Sequence, residues 1–232
     1  MRYAEAQRFY QKAITLQPNF VFSYINLAAI LLDTNRPEEA LTQAEIAIKI
    51  DSNSMNAHHI AGLIHLRLRN SEMALTFLQK AIALDPTYEK AWYHYAVACK
   101  YAAKIEEAEK GLRKAIELKP KMIPAHRELI SLLKDKQDYV GAIAQCRRLL
   151  ELTAKNTWQN AQALWQLAAN LYSKPGATID ELREAIDSCN QAAENKEFEL
   201  IKSDITRLLA ACRIKLDEEI SKKNIGKSKG AD

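Results

Sequence analysis

The chain has 232 residues, a net charge of +4, six glycines, six prolines and four cysteines. Sparse Gly and Pro, with no run rich in Val, Ile and Thr, exclude a strand-built fold and predict an almost wholly helical chain. No stretch approaches 18 consecutive apolar residues, which excludes a transmembrane helix, and Met1-Arg2-Tyr3-Ala4-Glu5 lacks the apolar run of a signal peptide. Cysteines 99, 146, 189 and 212 form no C-x-x-C pair. They read as small buried hydrophobes in a reducing compartment, so an intracellular, cytoplasmic location is expected.

Three columns of residues keep one period. Ala6, Ala40, Ala74, Ala108 and Ala142 fall 34 residues apart, as do Ala13-Ile14, Ala47-Ile48, Ala81-Ile82 and Ala115-Ile116. Pro18, Pro86 and Pro120 keep the register, with Ser52 in the gap. Such a period marks a stack of identical supersecondary units, each burying its apolar face on its neighbours.

In chain order, residues 1–20 read as a half repeat, the second helix of a unit whose first helix is absent. Either the array is a piece of a longer one or a lone helix caps this end. Four full units follow, 21–54, 55–88, 89–122 and 123–156, each an apolar helix, a polar break and a second helix. Pro37 sits early in its helix, where a missing N–H costs nothing, and Asn70 and Asp138 stand where they can cap exposed amides. The Ala columns let paired helices approach closely, and Pro18, Pro86 and Pro120 stop the second helix. After 156 the phase slips. Residues 157–196 form a fifth, irregular unit, with a first helix around Ala163-Leu164-Trp165 and a second from Glu181 to about 195. Residues 197–222 carry one apolar stripe, Phe198, Ile201, Ile205, Leu208, Leu209, Cys212, Leu216 and Ile220, and read as a capping helix. A helix that pairs with another chain is the alternative. Residues 223–232 read as a disordered basic tail.

These columns resemble the tetratricopeptide repeat. Tyr24/Leu27/Ala28, Ala61/Gly62 and Trp92/Tyr95/Ala96 match its first half, although His58 and His126 replace the aromatic expected at the first column. The resemblance implies an all-α, right-handed α-solenoid of antiparallel helix pairs whose first helices line a concave groove. It implies groove positions at Phe22, Ile25 and Ala29; Asn56, His59, Leu63 and Arg67; Lys90, Tyr93, Val97, Lys100 and Tyr101; Arg127, Ser131 and Lys134; and Trp165, Ala169 and Tyr172. The partner-binding set expected from these is Phe22, Ile25, His59, Leu63, Lys90, Tyr93, Val97, Arg127, Lys134 and Trp165. The family's chaperone-tail binders clamp a terminal carboxylate with Lys and Asn. Ile25 and Ala29 stand at those places in the first unit, which argues against that ligand.

No catalytic constellation is legible. Gly226-Lys227-Ser228 lacks the upstream glycine, strand and helix of a phosphate loop, and there is no G-x-S-x-G or H-E-x-x-H. His58 and His59 point about 100° apart on a helix and cannot easily share an ion. The acidic pairs Glu38-Glu39, Glu106-Glu107 and Glu218-Glu219 look like solvated faces. No catalytic residue, cofactor or metal is expected. Residues 90–148 hold 13 basic and 7 acidic side chains, a net of +6, so an acidic partner or a nucleic acid could be drawn there. The expected function is a non-catalytic scaffold or adaptor that binds an apolar, partly acidic peptide or helix of a protein partner. The alternatives are a partner-recruiting region of a larger enzyme or assembly, and nucleic-acid binding. Tyr3, Phe9, Tyr10 and Ile14 of the half repeat could recruit a second copy.

Overall fold

A computed structural model describes residues 2–155, 157–195 and 202–228. Among the described residues are twelve helices and no strand. Helix α1 (Arg2–Leu16) is followed by five pairs: α2 (Val21–Asp33) with α3 (Pro37–Ile50), α4 (Met55–Arg67) with α5 (Ser71–Leu84), α6 (Glu89–Tyr101) with α7 (Ile105–Leu118), α8 (Ile123–Asp135) with α9 (Tyr139–Leu152), and α10 (Trp158–Ser173) with α11 (Ile179–Ala193). Helix α12 (Lys202–Ser228) closes the order. The fold is an all-α solenoid of helix pairs, divided into two compact units, residues 1–120 and 121–232.

The Ala columns explain the pairing. Ala40, Ala74, Ala108 and Ala142, and Ala47, Ala81 and Ala115, are wholly buried. Gly62 marks an even closer approach, because a Cβ there would lie 2.5 Å from Leu78 Cγ. Side chains this small let backbones pack without overfilling the contact.

The turn within each of the first four pairs repeats to the atom. Asn35, Arg69, Ala103 and Gln137 all adopt left-handed backbone, with φ of 60°, 58°, 56° and 60°. The next N–H then reaches back five residues: Arg36 to the Leu31 carbonyl at 2.8 Å, Asn70 to His65 at 2.9 Å, Lys104 to Cys99 at 2.8 Å and Asp138 to Leu133 at 2.8 Å. This bond satisfies a carbonyl that the ending helix would otherwise strand. Asn70 and Asp138 then cap the second helices, accepting from Met73 N at 3.3 Å and Gly141 N at 2.9 Å.

The first column has its own polar logic. Tyr24 Oη donates to the Pro18 carbonyl, Trp92 Nε1 to the Pro86 carbonyl, and His58 Nε2 meets the Ser52 carbonyl, each at 2.9 Å. A carbonyl can only accept, so His58 carries its proton on Nε2. The column selects a ring with an edge donor that reaches six residues back, and histidine meets that need.

In unit 1, Leu27, Leu31, Ile60 and Ile64 form the core, and Tyr10 and Ile14 of α1 pack onto it. Two of the four residues offered for self-association are thus used internally, while Tyr3 and Phe9 remain exposed. In unit 2, Ile130, Leu149, Leu164, Leu171, Ile205 and Cys212 share one core, with Leu208 and Leu209 packed against it. Lys215 Nζ donates to the Tyr172 carbonyl at 2.6 Å, fastening α12 to α10. All four cysteines are free and buried.

The late phase of the fifth pair comes from α10, which has 16 residues where α2, α4, α6 and α8 each have 13, and from a longer connection, residues 174–178, before α11. One expectation at the C-terminal end changes. Helix α12 runs to Ser228, past the expected end at 222 and into the stretch read as a tail. No Pro interrupts it, and the Glu219–Lys222 pair at 2.7 Å supports the turn. Phe198, Ile201 and residues 229–232 lie outside the described residues.

Candidate protein-binding face

In unit 1 the C-terminal ends of the first helices build a recess of about 770 Å³. Leu63 and Leu66 of α4 and Val97 of α6 give it an apolar floor. Arg67, Arg69 and Asp33 bring charge, and Tyr101, 73% exposed, stands at its side. Leu63 and Val97 belong to the expected binding set, and Arg67 and Tyr101 to the expected groove register. Leu66 and Arg69 were not legible. Arg69 lies in the left-handed turn, where no helical register assigns a direction.

His59, also in the expected set, is only 8% exposed. Its Nε2 lies 2.9 Å from His94 Nδ1, and its ring meets Tyr88 edge-on at 5.1 Å. Burial drives both imidazoles towards the neutral form, His59 to a pKa of about 3 and His94 to about 4, helped by the Lys90 ammonium. His59 therefore braces its neighbours and presents no open ring. The helical register of one helix could not show this, because the residue that covers it sits 35 positions away. Around the pair, Tyr93 packs its ring on His94 at 5.0 Å and Lys90 is exposed. Ile25 is half-buried against the unit 1 core, and Phe22 is exposed beside Phe20 at 6.1 Å.

In unit 2, the Arg127 guanidinium lies over the Trp158 ring, 5.1 Å from its centroid. Lys134 is exposed, and Trp165 is half-buried against the core. The sequence reading missed Trp158 because the slip after 156 hides its register. The basic stretch is partly neutralised, since Lys104, Arg113, Lys114, Lys119 and Arg147 each pair with a glutamate. Among the described residues, no three His, Cys, Asp or Glu side chains are grouped to hold a metal ion. No helix among them is long and apolar enough to cross a membrane.

Comparison with known proteins gives two family matches. Residues 33–115 match the family described as anaphase-promoting complex, cyclosome, subunit 3, and residues 9–42 match the tetratricopeptide repeat. Human protein O-mannosyl-transferase TMTC3 is 27% identical over 185 residues, 78% of this chain and 20% of that protein. Mouse DnaJ homolog subfamily C member 7 is 37% identical over 83 residues, 36% of this chain and 17% of that protein. The chain thus spans at most about a fifth of the length of these relatives. Among solved structures, YrrB, described as a TPR protein with an unusual peptide-binding site, superposes with a TM-score of 0.65 at 19% identity. It covers 85% of this chain and 97% of its own. The APC/C hetero-tetramer Cut9–Hcn1 gives a TM-score of 0.67 at 19% identity, covering 90% and 39%. The 34-residue helix pairs, the Ala and Pro columns, the match over residues 9–42 and the superpositions agree on one architecture: the chain has the fold of tetratricopeptide-repeat proteins.

Proposed function

We propose that the chain is a non-catalytic interaction scaffold that holds a segment of a protein partner against the first helices of its pairs. The observation that carries this reading is the recess of unit 1. Its floor of Leu63, Leu66 and Val97 suits an apolar anchor, and Arg67 and Arg69 suit acidic flanks. Phe22, Ile25, Lys90 and Tyr93 extend the proposed contact set within unit 1, with His59 supporting it from beneath. Arg127, Lys134 and Trp165 are a separate proposed contact set of unit 2. A convenient test selects displayed random peptides on the intact chain and measures the affinity of the best binder. Tyr101→Ala and Arg67→Ala should each weaken it about tenfold, as expected for an anchor or a charged hydrogen bond. Lys80→Ala, an exposed change on the second helix α5, serves as control. Losses no larger than that control would remove the recess from the reading.

A second reading is favoured by the TMTC3 match, in which a repeat region of this size is one fifth of a much longer protein. On that reading the chain recruits partners or substrates for a larger enzyme or assembly. The continuous reading frame decides it: a catalytic domain in frame with these repeats supports recruitment, and a frame that ends with them removes it.

A further inference from the structure

The first and last helices are complementary halves. Helix α1 packs on α2 as α5 packs on α6, so it stands as a second helix, but no first helix lies beside it among the described residues. Its side chains show what is missing. Phe9 holds the place of Gln43, Phe77, Gly111 and Gln145, all of them buried or half-buried, yet Phe9 is 68% exposed. Tyr3 and Leu16 are exposed as well, where their counterparts Ile105 and Ile50 are half-buried. The counterpart of Phe9 that is also a ring, Phe77, lies flat on His65 of its own first helix, with centroids 5.3 Å apart. Phe9 is thus a ring placed to meet a first helix.

Helix α12 is the other half. It packs on α11 and α10 as α6 packs on α5 and α4, so it stands as a first helix. Its buried Ile205 and Cys212, seven residues apart, match Ala57 and Ile64 of α4. In that register Thr206, Ala210 and Arg213 fall at the places of His58, Gly62 and His65. Those three face their own second helix: both rings meet Phe77, and a Cβ on Gly62 would strike Leu78. On α12 all three places are exposed. Ala210 keeps the small side chain that close pairing needs. Ile214, 61% exposed, holds the place of the buried Leu32.

We propose that α12 of one copy pairs with α1 of a second copy, so that two halves complete one helix pair. The interface continues the pairing that the chain already makes five times, which is the reason a second copy is the occupant. Phe9 then lies across Ala210, with the Arg213 guanidinium over its ring. The contact is heterologous, so association continues head to tail unless its rotation closes a ring. It uses neither the unit 1 recess nor the first-helix groove, so its failure leaves the scaffold reading standing.

Sedimentation equilibrium of the intact chain tests the pairing. The mean mass should climb with concentration above that of one chain. Phe9→Glu and Ala210→Glu, both at exposed positions, should each weaken association about tenfold or more. Mixed one to one, the two variants should form a dimer and nothing larger, because each brings one intact end. A native chain that stays monomeric overturns the proposal, as does a mixture that stays monomeric. Ala210→Glu that assembles like the native chain also overturns it, because α1 would then meet something other than α12. A mixture of Phe9→Cys and Ala210→Cys, oxidised by air, gives a second measurement with gentler changes. It should yield the cross-link between positions 9 and 210. A cross-link between two copies of position 9, or none, counts against the pairing even where a glutamate variant is loosened.

Discussion

Positions 59 and 127 lie two 34-residue periods apart and occupy the same place on their first helices, yet they hold opposite chemistry. In unit 1 the place is sealed. His59 is buried, neutral and bonded to His94. In unit 2 it holds a charged guanidinium braced on Trp158, with an unpartnered nitrogen and two orphaned glutamine oxygens along α10. The helix geometry is common to both, so the difference comes from the ring or amide that the following first helix supplies. A repeat fixes where a side chain stands, and its neighbour decides whether that place is core or surface.

Exchanging the two residues gives the strongest test of the contrast. His59→Arg puts a permanent charge into the sealed place beside His94 and near Lys90. It should lower stability by about 3 kcal/mol in urea unfolding. Arg127→His should stay within about 1 kcal/mol, because that place is already half open. Equal losses would show that the two places do not differ.

Acid should act next, and chiefly on unit 1. The folded pKa values of His59 and His94, about 3 and about 4, lie below the ordinary imidazole value of 6.5. The unfolded chain therefore binds protons that the folded pair refuses. Stability is full above pH 6.5 and falls as pH drops from there towards 4. Between pH 7.5 and 5 the loss is about 2 kcal/mol per imidazole. Urea midpoints across this range should fall for the native chain and flatten for His59→Phe combined with His94→Phe.

The smallest effect should be shared by both units. Ala103 in unit 1 and Gln137 in unit 2 hold left-handed backbone at φ 56° and 60°. Glycine adopts this conformation freely, so Ala103→Gly and Gln137→Gly should each stabilise by roughly 0.5–1 kcal/mol. Asn35→Gly should gain less, since asparagine tolerates the conformation. A melting-temperature rise in one unit and not the other would break the equivalence of the turns.

The periodic columns made the fold legible. Ala40, Ala74, Ala108 and Ala142 announced close helix pairs because small size is a local property, and the caps at Asn70 and Asp138 could be read for the same reason. His58 looked like a departure from an aromatic column. The requirement met there is an edge donor to the Ser52 carbonyl, a contact that no single position displays. The lining of the recess was legible in the register where one helix sets it, at Leu63, Arg67, Val97 and Tyr101. Arg69 of the recess was illegible because an irregular turn places it, and the partners of His59 and Arg127, His94 and Trp158, were illegible because a second helix supplies them. The left-handed turns were hidden because three of the four residues there carry no glycine-like signal.

The buried thiols have a further use. Cys99 belongs to the third pair, Cys146 to the fourth and Cys189 to the fifth, with Cys212 on α12. Burial pushes the Cys146 thiol up to about 12, so it resists alkylation until its surroundings open. In a stack stabilised mainly by neighbour contacts, pieces open at different free energies. Timed alkylation of these native cysteines, read peptide by peptide, would give the order in which the stack breathes, with no label engineered into the chain.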